Sequence, residues 1–196
     1  MGLRQLCSIL ALSAMAVVPA MPVWADFDAE AYPPYEICAL CHGLSGVSAT
    51  ARFPNLGGQD PTYLDMQIRA FLAGERHNDG GQMAQIVTEL SPEHIPVVVA
   101  WFAGQEPPAP SGHGDAAGET LFTQLGCGAC HGARAAFLGV PHLTAQHAGY
   151  LAKQMKDFRD GRRKTHAACV PPGSMMPAQD TEIEAIARYL AAQPRP

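Results

Sequence analysis

The chain has 196 residues, 47% hydrophobic and 16% charged, with a formal net charge of −5. That length allows one large or two small domains, and the acidic balance argues against a nucleic-acid partner, whose phosphates select a basic surface. Outside one apolar run at the N-terminus, no stretch is apolar for the ~20 residues that a membrane-spanning helix requires.

In chain order, residues 1–25 come first. Arg4 is their only charge, Leu6 to Val18 are mostly apolar, and Val23-Trp24-Ala25 precede Asp26, which is the pattern of a cleaved secretory signal peptide. The run is short for an anchor and ends at Pro19 and Pro22, and Cys7 has almost no apolar segment before it, so it is not read as a lipid-attachment site. A first domain, 26–104, follows. Pro33 and Pro34 leave room only for a short helix ahead of Cys38. Asp60-Pro61 supplies an N-cap and a favoured first residue for a helix carrying Leu64, Ile68, Phe71 and Leu72 on one face. Ser91-Pro92 opens another, with Ile95, Val98, Val99 and Phe102.

The proline- and glycine-rich segment 105–117 reads as an exposed linker, and 118–196 as a second domain. Gly118 to Leu125 should be helical, burying Leu121, Phe122 and Leu125. Leu151, Met155 and Phe158 mark the next helix, and Asp180 opens the last, with Ile183, Ile186, Ala187 and Leu190 facing the core.

Beyond residue 25 there are five cysteines, and four fall into C38-A-L-C41-H42 and C127-G-A-C130-H131. C-x-x-C-H is the attachment signature of c-type haem. The paired thiols add to the two vinyl groups and the imidazole, one residue on, lies under the iron. A redox dithiol or half a zinc site fits less well, because neither pair has a second C-x-x-C at zinc spacing. Cys169 stands alone.

The two halves also repeat. At a constant offset of 87, Pro54, Leu56, Gln59, Tyr63, Leu64, Gln67, Phe71, Gly74 and Arg76 match Pro141, Leu143, Gln146, Tyr150, Leu151, Gln154, Phe158, Gly161 and Arg163. The cysteine pairs differ by 89 (127 − 38), so the second copy has lost two residues between its haem motif and its proline. Copies of about 80 residues bury little core of their own, and the haem should act as much of it.

Two C-x-x-C-H motifs, each followed by P-x-L-x-x-Q, Y-L and F-x-x-G-x-R from Tyr35 to Gln193, resemble the cytochrome c4 family of di-haem class I cytochromes c. The resemblance implies an all-α fold of two tandem class I cytochrome c domains related by a pseudo-twofold axis, with two covalently bound haem c groups. It makes Cys38, Cys41, Cys127 and Cys130 the attachment residues and His42 and His131 the proximal ligands. The carbonyls of Pro54 and Pro141 would receive the proximal imidazole protons. Methionine is the family's sixth ligand. In the first copy that is Met83, on the loop entering the helix of Ile95, with Gln82 where a methionine pair usually begins; Met66 competes but sits inside a helix. In the second copy Met176, followed by Pro177, is favoured. Met175, then Cys169, then His166 remain alternatives, because Met176 lies only seven residues before Ile183 whereas Met83 lies twelve before Ile95.

Charge divides unevenly. Residues 26–106 hold eleven acids and three bases, net −8, and residues from 107 on hold seven and nine, net +2. Negative charge around the first haem would lower its potential. Lys153, Lys156, Arg159, Arg162, Arg163 and Lys164 form either a solvated face or a docking patch for an acidic redox partner. Histidine with methionine leaves iron no open position, so the resemblance implies a periplasmic electron carrier rather than an enzyme. It would take electrons from a quinol-oxidising complex or a periplasmic dehydrogenase and pass them to a terminal oxidase. Peripheral association with the membrane is compatible with this role. Two alternatives are the di-haem subunit of a flavocytochrome sulfide dehydrogenase, and a thiosulfate dehydrogenase-like enzyme built on Cys169.

Overall fold

A computed structural model of the chain describes residues 32–131, 138–164 and 179–195. The expected signal peptide, together with His166, Cys169, Met175 and Met176, lies outside the described residues. Eight α-helices are described: α1 Glu36–His42, α2 Pro61–Leu72, α3 Gln82–Thr88, α4 Ile95–Ala103, α5 Ala116–Gln124, α6 Gly128–His131, α7 Ala148–Arg159 and α8 Asp180–Ala191. Helices α1–α4 form an N-terminal lobe and α5–α8 a C-terminal lobe. No helix among the described residues is long and apolar enough to cross a membrane.

Each lobe has its own apolar centre. In the first, Leu64, Leu90, Ile95, Val98, Val99 and Phe102 pack together; in the second, Leu151, Ile186, Ala187 and Leu190 do so, flanked by Leu121, Phe122, Leu143 and Met155. Leu72 and Leu125, expected inside, are exposed at the last turn of α2 and just past α5.

Local chemistry explains the boundaries. Asp60 accepts a hydrogen bond from the Tyr63 amide (2.7 Å) and starts α2 as expected. The segment opened by Ser91-Pro92 begins instead as a 3-10 turn, Pro92–His94, because Pro96 has no N–H to offer the Pro92 carbonyl and Ile95 takes that acceptor. Asp115 caps α5 through the Gly118 amide (3.0 Å), so this helix starts two residues earlier than its sequence suggested. Residues 109–114 of the connecting segment are exposed, but Pro108 is buried and the Ser111 amide bonds the Ala191 carbonyl (2.8 Å), which straps the connection to α8.

The lobes solve the same packing problem differently. In the second, α5 crosses α8 at Gly118, where any Cβ would collide with the Ala185 carbonyl, and Arg188 ties α8 to Asp115 (2.9 Å). Among the described residues, the first lobe has no such helix ahead of α1. There Tyr35 stacks on Trp101 with ring centroids 3.9 Å apart and planes 4° from parallel, and the Trp101 indole donates to the Leu44 carbonyl (2.9 Å). One aromatic pair thereby holds α1 against α4.

Candidate functional site

Cys38 and Cys41 sit one turn apart on α1, so both thiols leave the same face and His42 follows on the last turn. His42 is 5% exposed, and its Nδ1 lies 2.9 Å from the Pro54 carbonyl. A carbonyl only accepts, so Nδ1 carries the proton and Nε2 keeps its lone pair. Burial pushes the His42 pKa below the ordinary range, against the opposing pull of the Pro54 bond, and the positive Arg76 adds to the depression. The second lobe repeats the arrangement: His131 ends α6, its Nδ1 is 3.1 Å from the Pro141 carbonyl, and burial again lowers its pKa. Two neutral, oriented imidazoles each present a free Nε2.

Cys38, Cys41 and Cys127 are free thiols, and Cys130 is disulfide-bonded. Burial pushes Cys38 up to about 11 and also raises Cys127, whereas a nucleophilic C-x-x-C cysteine has a lowered pKa.

Met83 is half-buried, and it stands in the first turn of a helix, α3, that the sequence reading had taken for loop. Met66 instead turns toward the other lobe, where its sulfur would lie 2.9 Å from a Cβ built at Gly139.

Between the two lobes the repeated residues meet as pairs. The Gln59 side chain bonds both backbone groups of His142, accepting from the amide (2.7 Å) and donating to the carbonyl (2.9 Å). Gln146 does the same to Asn55, the equivalent residue of the first copy (2.8 and 2.9 Å). Arg76 donates to Gln67 (2.7 Å), Tyr150 (3.1 Å) and Gln154 (3.3 Å), while Arg163 donates to Gln154 (2.7 Å), Tyr63 (2.9 Å) and Gln67 (2.9 Å). Each guanidinium also lies over its own lobe's phenylalanine, Arg76 on Phe71 and Arg163 on Phe158, both at 4.6 Å. The exchange is reciprocal, as a pseudo-twofold axis requires.

Arg195 adds an unrepeated bond. Its guanidinium donates to the Gly57 carbonyl of one lobe (2.5 Å) and the Thr144 carbonyl of the other (3.1 Å), and burial pushes its pKa down to about 10. Arg195 borders a cleft of about 320 Å3 that is also lined by His131, Phe122, Leu143, Thr144 and Tyr189, and the buried Thr144 hydroxyl has no hydrogen-bond partner.

The basic run of α7 and its exit is largely paired with acids of the same chain. Lys153 and Arg162 pair with Asp157, Lys156 with Asp180 and Glu184, and Arg159 with Asp160 and Asp180, and Arg163 is buried between the lobes. These pairs neutralise much of the run, as the solvated-face reading expects, while Lys153, Arg162 and Lys164 stay exposed. Sequence reasoning missed Asn55, Asn78, His147 and Arg195, all of which bond across the interface; His147 Nε2, for example, meets the Ser48 carbonyl at 3.1 Å.

These sites suit haem c. In the N-terminal lobe the free thiols of Cys38 and Cys41 stand beside a neutral imidazole; in the C-terminal lobe the free thiol of Cys127 stands beside His131, and Cys130 is disulfide-bonded. Arg76 and Arg163, both buried, bond tyrosine, glutamine and asparagine oxygens and no carboxylate among the described residues, which fits a cofactor that brings carboxylates of its own. A helical double lobe with two such sites defines a di-haem c-type cytochrome. The cytochrome c family model matches residues 116–193. Cytochrome c4 of Pseudomonas aeruginosa is 37% identical over 65% of this chain and 68% of its own length. The thiosulfate dehydrogenase electron acceptor of Thiomonas intermedia is 30% identical over 98% and 95%. The crystal structure of reduced cytochrome c4 from Pseudomonas stutzeri superposes with a TM-score of 0.67 at 29% identity, covering 84% of this chain and 98% of that one. The chain belongs to the cytochrome c4 family. It is an electron-transfer protein that carries two covalently bound haem c groups and exchanges electrons with redox protein partners.

Proposed function

We propose that Cys38 and Cys41 hold one haem and Cys127 and Cys130 the other, with His42 and His131 as proximal ligands and Met83 and Met176 as sixth ligands. The observation that carries this reading is the pair of neutral imidazoles, buried at His42 and half-buried at His131, each held by a proline carbonyl so that Nε2 is free. Haem iron supplies reversible one-electron exchange when bound. The chain's part is to orient the imidazoles, to exclude water, and to fill both axial positions so that no substrate site is left. For the C-terminal lobe, Met175, Cys169 and His166 stay alternatives to Met176.

The protein is read as a periplasmic carrier whose first 25 residues are a cleaved export signal, with lobes at 26–104 and 118–196 joined by 105–117. It passes electrons from a quinol-oxidising complex or a periplasmic dehydrogenase to a haem-copper terminal oxidase. The relative named for accepting electrons from thiosulfate dehydrogenase supports a dehydrogenase donor. That name describes the acceptor, which favours carrier over enzyme; the enzymatic reading needs Cys169 on iron.

The test is the weak far-red band of methionine-ligated ferric haem in purified holoprotein with a haem count of two. Met83→Ala and Met176→Ala should each remove about half of the band, and Cys169→Ser should leave it intact. Retention of the full band in Met176→Ala would move the second ligand to an alternative. Reduction by a thiosulfate dehydrogenase, compared with reduction by a quinol-oxidising complex, separates the donors.

A further inference from the structure

The segment between Arg76 and Met83 is held at two points by adjacent side chains. Asp79 accepts hydrogen bonds from the Gly81 amide (3.1 Å) and from the Met83 amide (2.5 Å). Its carboxylate thus caps α3 from two residues before the N-cap, where negative charge also suits the helix dipole. No other side chain among the described residues does so: Gly81 is the N-cap residue, and Gly80 and Gly81 turn through φ +79° and +83°.

Asn78 faces the other way. Its side-chain amide donates to Gln154 (3.0 Å) and Asp157 (2.7 Å) on α7, and its side-chain oxygen accepts from Arg76 (3.2 Å). Its carbonyl accepts from Lys153, also on α7 (2.5 Å). The loop that carries Met83 in the N-terminal lobe is therefore fastened to a helix of the C-terminal lobe.

We infer that Asn78 and Asp79 are positioning residues for Met83: Asp79 sets the turn that presents the sulfur, and Asn78 anchors that turn to the opposite lobe. The sequence does not repeat this pair in the second copy. Arg76 is followed by His77, Asn78 and Asp79, but Arg163 is followed by Lys164, Thr165 and His166, with neither the amide nor the carboxylate. Steadiness of the first lobe's sixth ligand thus depends on α7 of the second. This rests on Met83 being that ligand.

The test uses ferric holoprotein and titrates imidazole against the methionine ligand, reading the far-red band, with haem content as the check on folding. Asp79→Ala and Asn78→Ala should keep two haems and the band while raising the imidazole affinity of one haem roughly fivefold to tenfold, the factor that a lost cap of ordinary strength gives. Asp79→Asn, which keeps an acceptor oxygen, should fall between Asp79→Ala and the parent, and Asn78→Ser should resemble Asn78→Ala. Parental imidazole affinity in Asp79→Ala and Asn78→Ala, with Met83→Ala still removing half of the band, would overturn the positioning role and leave the ligand assignment standing. A full band in Met83→Ala would overturn the assignment itself and this inference with it.

Discussion

Arg76 and Arg163, 87 positions apart, share the same two acceptors: each donates to both Gln67 and Gln154. Two buried cations are thereby brought together over neutral oxygens, an arrangement that costs desolvation and mutual repulsion unless negative charge lies nearby. Replacing either by methionine removes at least three hydrogen bonds from a charged donor but also relieves the repulsion. Arg163→Met should destabilise the holoprotein by about 2–3 kcal/mol, given ~1.5–3 kcal/mol for a bond to a charged group. The double variant Arg76→Met/Arg163→Met should cost less than the sum of the singles. Thermal melts of the three variants measure the coupling, and strict additivity would contradict a shared network.

Glycine at the helix crossing gives a sharper contrast. A Cβ at Gly118 would run into the Ala185 carbonyl, whereas one at Gly149 would make an ordinary 3.5 Å contact with Ala51. Gly118→Ala should therefore force α5 and α8 apart and cost about 1–3 kcal/mol, as overpacking does. Gly149→Ala, in the first turn of α7, should be neutral or stabilising by up to ~1 kcal/mol because alanine is the better helix former. Equal melting temperatures for the two variants would reject the close crossing.

Much of this arrangement was legible in the repeat itself. The positions that agree between copies divide by task. Pro54 and Pro141 hold the imidazoles; Leu64 and Leu151 build the cores; Gly74 and Gly161 turn with φ of +70° and +72°. The polar matches, Gln59 with Gln146, Tyr63 with Tyr150, Gln67 with Gln154 and Arg76 with Arg163, are what each copy gives to the other. Polar identity retained in both halves of a duplication was the available signal for the interface. What repetition could not reveal is what occurs once. Arg195 has no counterpart, Asn78 bonds across lobes through a loop, and the Tyr35–Trp101 stack holds α1 where Pro33 and Pro34 leave room only for a short helix. Helix α3 was read as loop because its cap, Asp79, stands two residues ahead of the N-cap rather than at it.

Acid should loosen the interface through Asp157. Its carboxylate is buried, which alone would raise its pKa, yet hydrogen bonds from Lys153, Asn78 and Arg162 hold it below the ordinary value. A depressed pKa means the stabilisation is complete above the unfolded value of about 4 and is lost as pH falls through the lower folded value. The parent protein should thus lose more stability than Asp157→Asn below about pH 4, while near pH 7 the variant should be the less stable of the two. Denaturant melts across that range give the comparison, and parallel pH profiles would show that Asp157 is not the responsible group.

Charge asymmetry bears on the two potentials. The segment 26–106 is net −8, and that from 107 on is net +2, while the interface cations Arg76 and Arg163 stand between the lobes. Among the described residues of the N-terminal lobe, Glu36, Glu75, Glu89, Glu93 and Glu106 are exposed acids, and negative charge favours the oxidised form nearby. The haem held by Cys38 and Cys41 should have the lower potential. Because surface charge is screened over about 10 Å at 0.1 M salt, the separation should narrow as ionic strength rises. Spectroelectrochemical titration of the holoprotein at low and high salt reads both quantities, with Met83→His used to assign the first haem by shifting its potential alone. A higher potential for that haem would reject the electrostatic argument, and a separation unchanged by salt would place its origin in the ligands and the buried interface instead of the surface.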